Sequence, residues 1–262
     1  MSTPYRRNKI KTFLDIIRRI ENWPTAVGMR LRQHDMGLRM LSFRDGLNII
    51  CRRGTRDWDV VHELLFAGGY GRAMRFLREQ PGQPVVLDLG GNIGLFSLLS
   101  ATTHPAAQIV AYEPGPPNYR LFEMNVLANA ALGARVRLHK EAVAGSTRTA
   151  EWSFDDANPG GSGLFATSGS SSSKCTVQIR AFSEVIAALP GPVALAKIDI
   201  EGAEFDLIRG TPPETWQRIQ TISLELHDDP DGTMSQAEFL QRMKGFGFKV
   251  EEETVCSYFL HR

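Results

Sequence analysis

Cysteine is scarce in this chain of 262 residues. Cys51, Cys175 and Cys256 stand far apart, with no C-x-x-C pair and no Cys/His cluster. Neither a disulfide framework nor a structural zinc site is expected, and such usage fits a reducing compartment. Long apolar runs are missing as well; none approaches the roughly 18 residues that span a bilayer. The N-terminal segment is charged and lacks the apolar centre of a signal peptide, so a cytoplasmic location is expected. Nor does one sign of charge dominate, since 30 Lys and Arg face 29 Asp and Glu. That balance weighs against a nucleic-acid-binding module, although residues 1–40 carry nine basic side chains against three acidic ones. This basic stretch reads best as the solvated side of a helix.

Apolar periodicity organises the rest. Ile10, Phe13, Leu14, Ile17 and Ile20 recur at helical spacing, predicting an amphipathic helix that ends near Trp23-Pro24. It would pack on the main domain or across a homodimer. Asp45-Gly46 between MLSFR and LNIIC predicts a hairpin over 36–52. These elements form an extension over 1–54, and residues 55–262 form the main domain. From Val85 onward, strand and helix patterns alternate: VVLDL, LFSLLSATT, IVAYE, PNYRLFEMNVLANA, VRLHKEAV, FSEVIAAL, ALAKIDI, AEFDLIRG, TISLEL and AEFLQRMKGFG. FKVEEE and TVCSYFLHR close the series as a strand pair. Such alternation predicts an α/β, Rossmann-like fold, a mostly parallel sheet with helices on both faces. Residues 155–174, rich in Gly and Ser, cannot build a core and read as a surface loop placed to serve as a lid.

Ligands in such folds bind beyond the carboxyl ends of the strands. The first strand ends in LDLGGNIG, residues 87–94. A dinucleotide turn needs G-x-G-x-x-G, and Asn92 stands where its second glycine belongs. A Walker loop needs Lys-Ser/Thr after its last glycine, and Leu95-Phe96 follow Gly94. With no phosphate cradle, a nucleoside is the better ligand. Glu113 ends the second strand, 25 residues past Asp88, where a carboxylate can accept both ribose hydroxyls. Asp88 is placed to address an ammonium group. Together these needs describe S-adenosylmethionine. An NAD-dependent oxidoreductase would share the fold, but it lacks here both the second glycine and a hydride site.

The chain resembles the FkbM-type family of S-adenosylmethionine-dependent methyltransferases across roughly residues 55–250. GTRDWDVVHELLFAGGY, VVLDLGGNIGLFS, IVAYEPGPPNYRLFEMNV, GGSGL, LAKIDIEGAEFDLIRG and ISLELH carry the resemblance. It implies a class I methyltransferase fold, with seven strands and the last one antiparallel. It also implies that Asp88, Gly90, Gly91, Asn92 and Gly94 form the cofactor turn. Glu113 would bind the ribose, Glu141 and Ala142 would flank the adenine, and Asp199 would lie beside the reacting methyl. Phe182-Ser183 depart from the Leu-Asp that family members often carry before the third helix.

Two stretches supply candidate chemistry. In KIDIEGAE, Asp199 points opposite to Ile198 and Ile200, while Glu201 and Glu204 suit the start of a helix. In ISLELHDD, Glu225 and His227 share one side of an extended chain, and His227 can serve as a general base oriented by Glu225. Asp199, Glu225 and His227 are alternatively a ligand set for Mg²⁺, although histidine is not the donor magnesium prefers. The expected reaction is O-methylation of a hydroxyl on a sugar or natural-product small molecule. An N-methyl or nucleic-acid acceptor is the alternative.

Overall fold

The computed structural model of the protein describes residues 9–31, 37–154, 173–254 and 256–262. Two helices, α1 (Lys9–Arg19) and α2 (Trp23–Leu31), lead into the hairpin β1 (Leu38–Ser42) and β2 (Asn48–Arg52). The α1–α2 break falls where Pro24 enters the first turn of α2, a position that needs no N–H donor. The apolar stripe expected on α1 is offset. Ile16 and Ile20 are buried, whereas Phe13 and Leu14 are each 44% exposed. A single β-bridge between Ile20 and Phe43 fixes that rotation by tying the helix end to the hairpin.

Next come α3 (Asp57–His62), a π-helical turn over Glu63–Ala67, and α4 (Gly71–Arg78). The α/β alternation then runs through β3 (Val85–Leu89), α5 (Leu95–Thr103), β4 (Gln108–Tyr112), α6 (Pro116–Ala128), α7 (Ala130–Gly133) and β5 (Val136–His139). Three strands, β6 (Ala142–Ala144), β7 (Arg148–Phe154) and β8 (Ser173–Ala181), interrupt it. It resumes with α8 (Phe182–Ala188), β9 (Val193–Ile198), α9 (Glu204–Gly210), α10 (Pro213–Trp216), β10 (Ile219–Glu225) and α11 (Gln236–Gly245). The antiparallel pair β11 (Lys249–Thr254) and β12 (Ser257–His261) ends the chain.

The main sheet has seven strands in the order β11-β12-β10-β9-β3-β4-β5, with β12 antiparallel to β10. This is the α/β class I arrangement expected from the sequence. Every residue of β3 and β9 is buried, as strands covered by helices on both faces must be. The strand order reverses between β3 and β9, so the ends of these two strands flank the topological switch point.

The interruption departs from the sequence reading. VRLHKEAV is not one strand, because β5 ends the main sheet at His139 and β6 joins a separate sheet of order β6-β8-β7. β6 runs parallel to β8, Ala142 opposite Ile179, and Ala142, Ala144, Trp152, Val177 and Ile179 form its apolar cluster. Lys174 and Ser173 of the expected loop belong to β8, and the proposed lid, residues 155–172, lies outside the described residues.

The N-terminal elements share a core with the main domain. Ile16, Ile20, Leu41, Phe43 and Ile49 cluster with Ile93, Leu98 and Leu121. Two asparagines one turn apart, Asn125 on α6 and Asn129 just past its end, serve as a substitute strand for β2. Ile50 N–H donates to Asn125 Oδ1 at 2.6 Å, and Asn125 Nδ2 returns a bond to Ile50 O at 3.1 Å. Asn48 and Asn129 exchange the same pair at 2.8 and 2.6 Å. The hairpin edge is thereby satisfied and fixed above the cofactor turn. Among the described residues no helix is long and apolar enough to cross a membrane.

Candidate active site

The turn after β3 is shaped by close approaches. Gly90 has φ +78°, and a Cβ there would lie 1.8 Å from Asp199 O, inside the backbone of the neighbouring strand end. Gly94 has φ +89°, and its Cβ would strike the Phe122 ring at 2.2 Å. Between them Asn92 takes φ +49°, a region in which asparagine is tolerated better than most residues. The Asn92 N–H donates to Glu113 Oε2 at 2.8 Å, and Gly115 N–H donates to Glu113 Oε1 at 2.8 Å. One backbone bond per oxygen leaves Glu113 free lone pairs at the cavity. Burial raises its pKa to about 7 against the pull of those two N–H groups.

Glu113 lies in a cleft of about 610 Å³ empty volume, open to solvent. Tyr112, Pro114, Ala142, Val143 and Trp152 supply its apolar wall. Glu141 is on the same wall, held by two bonds of 2.8 Å from the Arg180 guanidinium. A second cavity of about 850 Å³ adjoins it, sharing Gly90, Asn92, Asp199 and Glu201. Its other walls are Arg56, Asp59 and Glu63 before the sheet, Tyr70, and Glu225 at the end of β10.

Crowded carboxylates dominate this second chamber. Burial and then the Asp199 charge raise the pKa values of Glu63 and Glu225. Glu201, at φ +55° on the rim between the cavities, is raised to about 7 by burial and by Asp199, Glu204 and Glu225, against the opposing pull of His227. The compensating cation is Lys197, buried next to the carboxyl end of β9. Its Nζ donates to Gly90 O at 2.8 Å, and lies 3.0 Å from Asp199 Oδ2 and 3.8 Å from Asp88 Oδ1. Burial alone would lower the Lys197 pKa, but Asp199, Tyr70 and Asp88 carry it above the usual lysine value, so it stays charged.

The expected site residues therefore fall into groups. Gly90, Gly91, Asn92, Glu113, Glu141, Ala142 and Asp199 line one or both cavities. Asp88 is wholly buried behind the turn, accepting a 2.6 Å bond from Ser97 Oγ, and it reaches neither cavity. Gly94 likewise serves packing against Phe122. Glu225 lines the second chamber, but it is not the partner of His227. The His227 Nδ1 faces Glu204 Oε1 at 3.1 Å and its Nε2 faces Glu201 Oε2 at 3.6 Å. Burial would lower the His227 pKa, but these acids raise it to about 9. Glu204, wholly buried, also accepts the N–H groups of Ile200 and Gly202 at 2.9 Å each. Histidine and glutamate thus brace the IEGA turn.

The Mg²⁺ set of Asp199, Glu225 and His227 does not fit this arrangement. The ligand atoms that converge, within 4.8 Å of one another, belong to Asp199, Glu201 and His227. Asp199 is engaged by Lys197, and His227 Nδ1 is engaged by Glu204.

A nucleoside-sized cleft at the switch point, with a carboxylate left open toward a ribose, fits S-adenosylmethionine. The class this defines is the class I S-adenosylmethionine-dependent methyltransferases. Residues 88–250 match the family described as the methyltransferase FkbM domain, and the chain belongs to that family. "Methyltransferase 1" of Beauveria bassiana is 29% identical over 190 residues, 65% of this chain and 75% of that protein. "31-O-demethyl-FK506 methyltransferase FkbM" of Streptomyces tacrolimicus is 26% identical, over 66% of this chain and 76% of its own. Among solved structures, methyltransferase FkbM from Methylobacillus flagellatus aligns with 68% of this chain and 44% of its own, at 11% identity and a TM-score of 0.46.

Sequence reasoning missed Lys197, Tyr70, Glu63 and Trp152. Lys197 was signalled: a lysine inside the apolar run ALAKIDI must be paired if the strand is buried. Glu63 and Tyr70 lie within GTRDWDVVHELLFAGGY, which carries the family resemblance, but their place at the site, like that of Trp152, depends on how α3, α4 and β7 fold over the strand ends.

Proposed function

We propose that the protein transfers the methyl group of S-adenosylmethionine to a hydroxyl of a small molecule, such as a sugar or a natural-product intermediate. The observation that carries this reading is Glu201. Its carboxylate stands where the cofactor cleft meets the second chamber, and its pKa of about 7 suits a general base near neutral pH. When bound, the cofactor supplies an electrophilic methyl and a good leaving group. The chain orients the acceptor and removes its hydroxyl proton as the new bond forms. Glu201 accepts that proton, Asp199 and Glu225 position the acceptor, and the His227–Glu204 brace holds Glu201 at the rim. The name of the Streptomyces relative, which places its reaction at an oxygen of a natural product, favours the same choice.

The test is transfer of labelled methyl from S-adenosylmethionine to a panel of hydroxylated small molecules, with and without EDTA. Label recovered in a base-stable ether supports the proposal. Label found only in a base-labile ester or an amine overturns its oxygen-specific part. Glu201→Gln should lower kcat about 10²–10³-fold while leaving the KM for S-adenosylmethionine within about threefold.

A further inference from the structure

We infer that the Trp152 indole N–H is a cofactor-binding donor, placed to pair with a ribose oxygen opposite Glu113. The inference rests on the cofactor reading above. Trp152 is 7% exposed, and its Nε1 has no hydrogen-bond partner among the described residues. A buried donor left unpaired is costly, and natural structures pair nearly all of them. Trp216 has an unpartnered Nε1 too, but it lines neither cavity of the site. Trp152 does, as does Asn92, whose Oδ1 is also buried and unpartnered. Two orphaned polar groups on one cleft indicate that its ligand completes them.

Position narrows the ligand group to the ribose. The site a Cβ on Gly115 would occupy is 3.5 Å from Trp152 Nε1 and 2.8 Å from Glu113 Oε1. Donor and carboxylate are therefore neighbours, and both residues line the cleft. Gly115 has an ordinary φ of −67°, so its lack of a side chain serves the close approach of the Glu113 carboxylate rather than backbone geometry. A ribose hydroxyl both donates and accepts. One that gives its proton to Glu113 still offers lone pairs to an indole N–H, which can only donate. The indole is also fixed in advance. Trp152 pairs with Cys175 across β7 and β8 and packs with Ala142, Val177 and Ile179. Pre-orientation of this kind lowers the entropy cost of binding.

The test uses the whole chain of 262 residues and S-adenosylhomocysteine as the probe. In protein carrying ¹⁵N-labelled tryptophan, the Trp152 indole resonance, assigned by its loss in Trp152→Phe, should move downfield on saturation while the Trp216 resonance stays. By calorimetry, Trp152→Phe should bind the probe about 5–20-fold more weakly than wild type. With the 2′-deoxy and 3′-deoxy analogues as probes, that penalty should shrink for the one lacking the contacted oxygen. An unmoved Trp152 resonance at saturation, or an undiminished affinity in a folded Trp152→Phe, overturns the inference and leaves the cofactor reading standing. An equal penalty with both deoxy analogues overturns the ribose assignment. No binding of the probe to wild type overturns both readings together.

Discussion

The two cavities that meet at Asp199 and Glu201 are built on opposite electrostatic plans. The cofactor cleft is walled by Tyr112, Pro114, Val143 and Trp152, and beyond the shared Asp199 and Glu201 its carboxylates are Glu113 and Glu141, the latter paired with Arg180. The adjoining chamber gathers Asp59, Glu63, Asp199, Glu201 and Glu225, with Arg56 and Lys197 as its cations. A site for a fixed ligand can afford few polar groups, each aimed. A site that must take a proton and seat an acceptor needs several groups whose charges push one another toward neutral pH. Lys197 separates the two plans. It holds the glycine turn by Gly90 O on the cofactor side and neutralises Asp199 on the other.

The sharpest way to break this division is therefore Lys197→Met. Asp88 and Asp199 would then be left without their cation, one of them wholly buried. Removing one partner of a buried pair costs about 3–5 kcal/mol. Urea unfolding should show a loss of that size, and a loss below about 1 kcal/mol would mean that the lysine is dispensable to both cavities.

Next in size is a pair of variants, one from each cavity. Glu113→Ala should weaken S-adenosylhomocysteine binding about 100-fold, because two hydroxyls lose a charged acceptor. Glu225→Gln should leave that affinity within about threefold and lower kcat instead. Equal effects of the two variants on affinity would show that the cavities act as one site. A pH titration sharpens the same contrast. Glu113 has its pKa raised to about 7 in the free protein, and hydroxyl donors favour its ionised form. Affinity for S-adenosylhomocysteine should rise about tenfold from pH 6 to pH 8 and level off above, as the ionised fraction does. Glu113→Gln should remove the slope.

The same contrast explains what could be read in the sequence. Glu113 and the Gly90–Gly94 turn follow from a strand, a turn and a spacing, because the strand ends of a doubly wound sheet are a fixed address. Asp199 is reached the same way, by alternation along KIDI, and it lines both cavities. Asp88 was misplaced because its position in the sequence does not disclose that Ser97 and Lys197 draw it behind the turn. The chamber is made by α3 and the turn after it, which reach the strand ends only because β2 is hung on Asn125 and Asn129. No local pattern encodes that docking. β6, β7 and β8 were missed for a related reason: they pair with one another around residues 155–172, and β-pairing across such a gap leaves no periodic trace.

The smallest effect lies in the brace beneath Glu201. His227 is raised from the ordinary histidine pKa of about 6.5 to about 9, burial opposing and Glu204 and Glu201 prevailing. A group bound more tightly to its proton when folded stabilises the protein fully below its unfolded pKa. That contribution declines as pH rises through the folded value. His227 is partly open to water, so screening leaves it about 1 kcal/mol rather than the full value of the shift. The difference in unfolding free energy between wild type and His227→Gln should therefore be near 1 kcal/mol at pH 6 and close to nothing at pH 10. Were His227 a neutral base oriented by Glu225, the difference would not fall across that range, and Glu204→Gln would leave the pH dependence of kcat unchanged. With the brace in place, Glu204→Gln should loosen the turn, bring the His227 pKa down toward neutrality and shift the acid limb of the kcat profile.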